Sequence, residues 1–119
     1  MAMLLITHDL SLVAEIAHDV AVMYAGRIVE TGNVRTTMAN PIHPYTQALL
    51  ACVPKMGGGR GRLKVISGTV PPLVENPTGC RFEPRCERGA GDVQCRTQTP
   101  GLQNYAAGQS AACWKAVAP

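Results

Sequence analysis

Asp19-Val20-Ala21-Val22-Met23-Tyr24-Ala25-Gly26-Arg27-Ile28-Val29-Glu30-Thr31-Gly32 is the stretch on which the fold turns. Val20 to Tyr24 reads as a strand, Ala25-Gly26 as a tight turn, and Arg27 to Gly32 as the strand that pairs back. Upstream, Met3-Leu4-Leu5-Ile6-Thr7 is an unbroken apolar run that ends in polar residues, the pattern of a buried strand in a parallel sheet. Asp9 or Ser11 can cap a helix that carries Leu10, Val13, Ala14 and Ala17 at helical spacing. Downstream, Val34 to Ala39 predicts a short helix, and Pro41 and Pro44 interrupt the chain. Tyr45 to Val53 predicts a further helix with Ala48, Leu49 and Cys52 on one face, stopped by Pro54. Gly57-Gly58-Gly59-Arg60-Gly61 reads as a flexible linker and Leu63 to Ile66 as a short strand. From Pro71 onward turns dominate and no periodicity stands out. The fold class is α/β, with a loop-rich, cysteine-containing second half.

A chain that opens on a buried strand leaves that strand's N–H and C=O groups without partners, and buried orphans of this kind are costly. The sequence therefore reads as the end of a fold whose beginning lies elsewhere. In its 119 residues, 46% are hydrophobic but only 4% aromatic, so little of the core is expected to come from large rings. The formal charge of +3 is too small an excess to suggest nucleic acid as a partner. No apolar run is long enough to span a bilayer, and the first residues lack the basic region of a signal peptide. The expected setting is cytosolic, with no direct membrane insertion. In such a setting, clustered cysteines suggest a metal or cluster site rather than disulfides. Of the five cysteines, four lie between positions 80 and 113 and Cys52 stands apart, where it reads as a small buried hydrophobe.

Two histidines and the cysteines carry the candidate chemistry. His8 follows the apolar run, at the edge where open α/β sheets bind ligands, and could donate to a phosphate oxygen or orient a water. Ile6-Thr7-His8-Asp9-Leu10, continued by Val13-Ala14 and the Asp19 to Gly32 hairpin, resembles the segment after the Walker B strand of ABC ATPases. The resemblance makes residues 1–33 the C-terminal end of a nucleotide-binding domain. It also makes His8 the switch histidine, which in that family contacts the γ-phosphate and supports the attacking water. Asn40-Pro41-Ile42-His43-Pro44-Tyr45-Thr46-Gln47-Ala48-Leu49-Leu50 resembles the C-terminal extension of oligopeptide/dipeptide-transporter ATP-binding subunits. Ile66, Gly68, Val70-Pro71-Pro72-Leu73, Pro77 and Gly79-Cys80 continue the likeness, so that residues 34–119 form that extension. His43 itself reads as a turn histidine.

Cys80, Cys86, Cys95 and Cys113 follow a C-x5-C-x8-C-x17-C spacing, a soft donor set suited to an iron–sulfur cluster or to tetrahedral zinc. Arg81, Arg85, Arg88 and Arg96 stand near in sequence, and their charge is expected to lower the thiol pKa values. Gly79-Cys80-Arg81-Phe82-Glu83-Pro84-Arg85-Cys86 resembles the cysteine motif that closes this transporter family, some members of which hold a four-iron, four-sulfur cluster there. Glu87 stands where the family usually has Pro, and Gln109 occupies the region where a His commonly precedes the last cysteine.

No G-x-x-x-x-G-K-[ST] motif occurs in these residues, nor a signature motif, a glutamine loop or a Walker B Asp-Glu pair. The chain alone is expected to hydrolyse no ATP. The resemblance implies a larger subunit that binds ATP and magnesium, pairs with a second ATP-binding subunit, and powers peptide import through transmembrane permease subunits, peripheral to the inner membrane face. The competing reading is a stand-alone iron–sulfur or zinc module with a structural or interaction role. A small secreted disulfide protein fits poorly with the odd cysteine count.

Overall fold

A computed structural model describes residues 1–53, 65–72 and 78–116. The Asp19 to Gly32 stretch forms the expected hairpin: β1 (Asp19–Tyr24) and β2 (Arg27–Asn33), antiparallel, joined at Ala25-Gly26. Both turn residues have positive φ, 48° at Ala25 and 80° at Gly26, which suits the twist of a two-residue hairpin connection. The register shifts once. Val22 faces Glu30 and Met23 faces Ile28, so Val29 is the extra residue of a bulge. The Val29 carbonyl instead accepts the Ala112 N–H at 2.8 Å, toward the C-terminal part of the chain.

That bond extends a second pairing. β3 (Gln103–Ala106) and β4 (Gln109–Ala111) form another hairpin, and β4 pairs with β2 at Glu30 and Thr31. The result is one antiparallel sheet in the order β1-β2-β4-β3, flanked by short helices. It draws strands from both the first 33 residues and the far end of the chain.

Four helices occur among the described residues: α1 (Leu10–Ile16), α2 (Val34–Ala39), α3 (Pro44–Ala51) and α4 (Val93–Thr97). Each begins on a side-chain cap that satisfies a free N–H of the first turn: Asp9, Asn33, His43 and Asp92 respectively. Pro44 occupies the first turn of α3, where its missing N–H costs nothing. The expected ends of the first three helices are met within two residues, although the Pro54 stop lies outside the described residues.

Three expectations are corrected. Met3 to Thr7 is not a strand. Among the described residues no strand lies beside it, and Met3, Leu4 and Ile6 are exposed. The core does rest on rings: Tyr24, Tyr45 and Phe82 meet with centroids 4.7 to 5.4 Å apart, and Tyr24 and Phe82 are buried. The few aromatic residues are concentrated rather than dispersed. Cys52 sits at the C-cap of α3 and is half-buried, not a core residue. The Gly57 to Gly61 linker lies outside the described residues. So do Leu63 of the Leu63 to Ile66 strand, and Leu73 and Pro77 of the extension motif; Val65 and Ile66 are in no strand.

One buried carboxylate joins the sheet to the helical layer. Glu30 on β2 is fully buried. Its Oε1 accepts from Ile42 N (2.9 Å) and from Gln109 Nε2 (3.1 Å), and its Oε2 accepts from His43 N (2.9 Å). The Gln109 amide also donates to the Asn40 carbonyl at 2.8 Å. The link between α2 and α3 is thus pinned to β2 and β4 at once. A Glu30→Leu variant strands two buried backbone donors, and should unfold in urea with a loss of about 3 kcal/mol or more. A loss under about 1 kcal/mol would show that water satisfies these donors and that Glu30 holds nothing.

Candidate functional site

The four clustered cysteines come together. Cys80, Cys86, Cys95 and Cys113 all line one small cavity, together with His43, Phe82, Gly89 and Trp114. None is in a disulfide, and Cys86, Cys95 and Cys113 are buried. Each arrives by its own local device. Gly79 has φ 83°, and a Cβ there would lie 2.2 Å from the Arg96 carbonyl oxygen, so only glycine lets this segment approach α4. The Cys80 N–H then donates to the Cys95 carbonyl at 2.7 Å. A single 3-10 turn at Glu83–Arg85 delivers Cys86, whose N–H donates to the Glu83 carbonyl at 3.1 Å. Asp92 caps α4 by accepting the Cys95 N–H at 3.0 Å, and its other oxygen pairs with Lys115 Nζ at 2.9 Å. The same ion pair draws the last segment over the cavity. Tyr105 Oη donates to the Cys113 carbonyl (2.7 Å), and the Lys115 N–H donates to Cys113 Sγ (3.3 Å).

Gly89 closes the floor. A Cβ at this position would stand 3.1 Å from Cys95 Sγ and 3.6 Å from Cys86 Sγ, so the missing side chain leaves room at two of the four sulfurs. Gly89 belongs to the Gly89-Ala90-Gly91 loop between those cysteines, and its role was not anticipated. The cavity is small, about 10 Å³, roughly the space of one water. Among the described residues, no three metal-ligating side chains stand close enough together to hold an ion as they are placed. The donor set, four thiols lining one cavity, is of the chemical kind that holds a thiolate-ligated group.

The expected effect of the arginines on the thiols is overturned. Burial pushes Cys95 and Cys113 up to about 11 and raises Cys80 as well; neighbouring thiols add to the rise, and Arg88 opposes it only weakly at Cys113. The guanidiniums are engaged elsewhere. Arg81 donates to the Ala25 carbonyl, and Arg85 donates to the Ser67 carbonyl (2.9 Å) and to Tyr24 Oη (3.2 Å). For Arg81 and Arg85, proximity in sequence did not become proximity to sulfur.

His8 stands apart from this cluster. It is exposed, immediately before the Asp9 cap of α1, a helix that buries none of its residues. His43, read as a turn histidine, is a buried one. Its Nδ1 accepts the Tyr45 N–H at 3.0 Å and caps α3, which places its proton on Nε2. Nε2 is buried and makes no hydrogen bond of good geometry, although the Ala112 backbone lies near enough to favour its proton.

Comparison with known proteins now places the chain. Residues 29–95 match the family model described as the oligopeptide/dipeptide transporter, C-terminal region. The chain belongs to this family. The matched region takes in Glu30, His43, Cys80, Cys86 and Cys95; His8 and Cys113 fall outside it. The chain is 45% identical over 113 residues to the dipeptide transport ATP-binding protein DppD of Escherichia coli, covering 95% of this chain and 34% of that protein. It is 46% identical to the DppD of Haemophilus influenzae (87% and 31% covered) and 41% identical to the oligopeptide transport ATP-binding protein AppD of Bacillus subtilis (95% and 34%). The chain thus spans about a third of the length of the curated relatives it matches. Among the described residues no helix is long and apolar enough to cross a membrane.

His43 gives this family member a pH-dependent weakness. Burial lowers its pKa from 6.5 to about 4, against Glu30 and the Ala112 backbone, which both favour the proton. Because the folded value lies below the unfolded one, the unfolded chain takes up a proton first as pH falls. Stability is therefore full above pH 6.5 and declines toward pH 4. The loss should be about 3 kcal/mol across that window. Asp92, held down to about 2 by Lys115, loses its contribution only below pH 3.8. Urea titrations at pH 7 and pH 4 should show the decline in the native chain and a smaller one in His43→Asn, which retains a capping oxygen. Equal declines would remove His43 as the cause.

Proposed function

We propose that this chain is the C-terminal part of an ATP-binding subunit that powers peptide import, of oligopeptides or dipeptides, through an ABC transporter. The observation that carries the reading is 45% identity, across 95% of the chain, to a dipeptide transport ATP-binding protein. In this reading residues 1–33 end the nucleotide-binding domain and residues 34–119 form the extension. ATP and magnesium bind in the complete subunit, to which this segment contributes His8 at the γ-phosphate; the exposed position of His8 beside Asp9 leaves its imidazole free to do so. The subunit pairs with a second ATP-binding subunit and works at the cytoplasmic face of the plasma membrane through permease subunits. This chain alone hydrolyses no ATP.

A chimera tests the proposal. The corresponding C-terminal third of the Escherichia coli dipeptide transport ATP-binding protein is replaced by this chain, in a strain lacking its own copy. Dipeptide uptake should return. His8→Ala in the same chimera should reduce ATP turnover by about a hundredfold or more while subunit assembly persists. A chimera that assembles with the permease yet transports nothing with His8 intact would refute the assignment.

A second reading concerns the thiols, and the convergence of four free cysteines on one cavity is the observation that favours it. Cys80, Cys86, Cys95 and Cys113 would hold a four-iron, four-sulfur cluster, with zinc as the alternative occupant. Either group would cross-link the 3-10 turn, α4 and the last segment, a structural role. High thiol pKa values mean that loading releases protons and should weaken as pH falls. Purified without oxygen, the chain should contain iron and sulfide in equal amounts, and Cys95→Ser should lose both. Folded chain free of iron and zinc under those conditions would eliminate the reading.

A further inference from the structure

A second, larger cavity lies against the Cys80 to Phe82 segment; it shares Cys80 and Phe82 with the thiol cavity, and His8 is not among its lining residues. It has a volume of about 450 Å³, within the range of about 300 to 1,000 Å³ usual for ligand sites. The hairpin tip forms one wall, including Arg27 and Ile28. Arg81 and Phe82 form the base, and the turn before β3 closes the far side with Pro100 and Leu102.

Three properties define what would fit. The first is an open sheet edge. β4 pairs with β2 only at Glu30 and Thr31, and the contact ends with Ala112 N–H on the Val29 carbonyl. Among the described residues, Arg27 and Ile28 therefore have no strand on that side, and their edge borders the cavity. The second is charge. Arg27 is exposed and Arg81 half-buried, and none of the residues lining the cavity is acidic. The third is an unmet donor. Arg81 spends one terminal nitrogen on the Ala25 carbonyl, while its Nε is buried without any partner. Phe82 and Leu102 add apolar surface, Leu102 being 49% exposed.

We infer that this cavity is a docking site for an extended, acidic segment of a partner protein, which adds to the β2 edge at Arg27-Ile28 and sets a carboxylate against Arg27 and Arg81. Backbone pairing to an open edge supplies affinity and is blind to sequence; the two guanidiniums and the apolar wall then select an acidic strand with alternate apolar residues. A small free anion would use the charges but leave the edge and the apolar wall empty. The inference stands independently of the transport reading; its cavity shares Cys80 with the thiol cavity, but none of the groups it invokes is a thiol.

The test uses the full chain, labelled with nitrogen-15, and a short acetylated peptide alternating valine and glutamate. Amide shifts at Arg27, Ile28, Gly101 and Leu102 should move on titration, and fluorescence anisotropy of the labelled peptide should give a saturable Kd. Arg27→Glu and Leu102→Lys, both at exposed positions, should each weaken binding about tenfold with unchanged circular dichroism. The lysine counterpart of the peptide should not bind, nor should a version with proline at its centre, which cannot complete the ladder. Absence of any shift would overturn the inference. So would equal binding of the lysine or proline peptide, and so would acetate producing the same shifts while the peptide gains nothing over it.

Discussion

A fully buried carboxylate, that of Glu30, is the interaction on which the arrangement depends. It sits on β2, the strand that joins the two hairpins, and it takes the N–H groups of Ile42 and His43 together with the side-chain amide of Gln109. Without it the chain between α2 and α3 would present unmet donors to an apolar layer, and such groups are expensive to bury. With it, His43 is placed to cap α3, α3 brings Tyr45 to Tyr24 and Phe82, and Phe82 sits between Arg81 and the turn that leads to Cys86. The path from the Glu30 carboxylate to the thiols is short and runs through backbone bonds and ring contacts.

The thiol cavity and the larger cavity show how burial and charge divide the work. Around sulfur, desolvation dominates: the cysteines are sheltered, their pKa values rise, and the nearby ion pair Asp92–Lys115 acts as a clasp between α4 and the last segment. Of the arginines interleaved with the cysteines in sequence, Arg81 turns to the hairpin carbonyl of Ala25, and Arg85 to the Ser67 carbonyl and Tyr24 Oη. Alternation along a chain of turns carries no fixed direction, unlike alternation along a strand, so a charge adjacent in sequence can face away in space.

Much of the first half was legible. The hairpin announced itself through its apolar strand and Ala25-Gly26 turn, the first helix through its cap and helical spacing, and the next two through their short runs bounded by proline. The four cysteines stood out in sequence by their clustering and soft chemistry, and they line one cavity. The Met3 to Thr7 run is apolar enough for a buried strand, but a strand is a property of its neighbours, and among the described residues none lies beside it. β3 and β4 escaped because Gln103-Asn104-Tyr105-Ala106 and Gln109-Ser110-Ala111 are short and polar; they are strands only because β2 offers an edge. Glu30 and Gln109 left a faint trace, an acidic residue inside an apolar hairpin and an amide where the family has a different residue. Nothing local tells that the two, 79 positions apart, meet. Gly89 could not have been found from spacing, since its role is the volume it does not occupy.

The pairing of β2 with β4 also has a consequence in time. The hairpin and α2 use contacts between near neighbours and can form as soon as they exist, whereas Glu30 meets Gln109 and Ala111 only after a long loop closes. On the ribosome, β2 keeps one edge open until β4 has emerged. During that interval the Glu30 carboxylate can remain hydrated, and it is the late arrival of β4 that commits it to the interior. The last strand therefore acts as the completion step of folding, and its loss by truncation would be felt at the first hairpin, at the opposite end of the sequence.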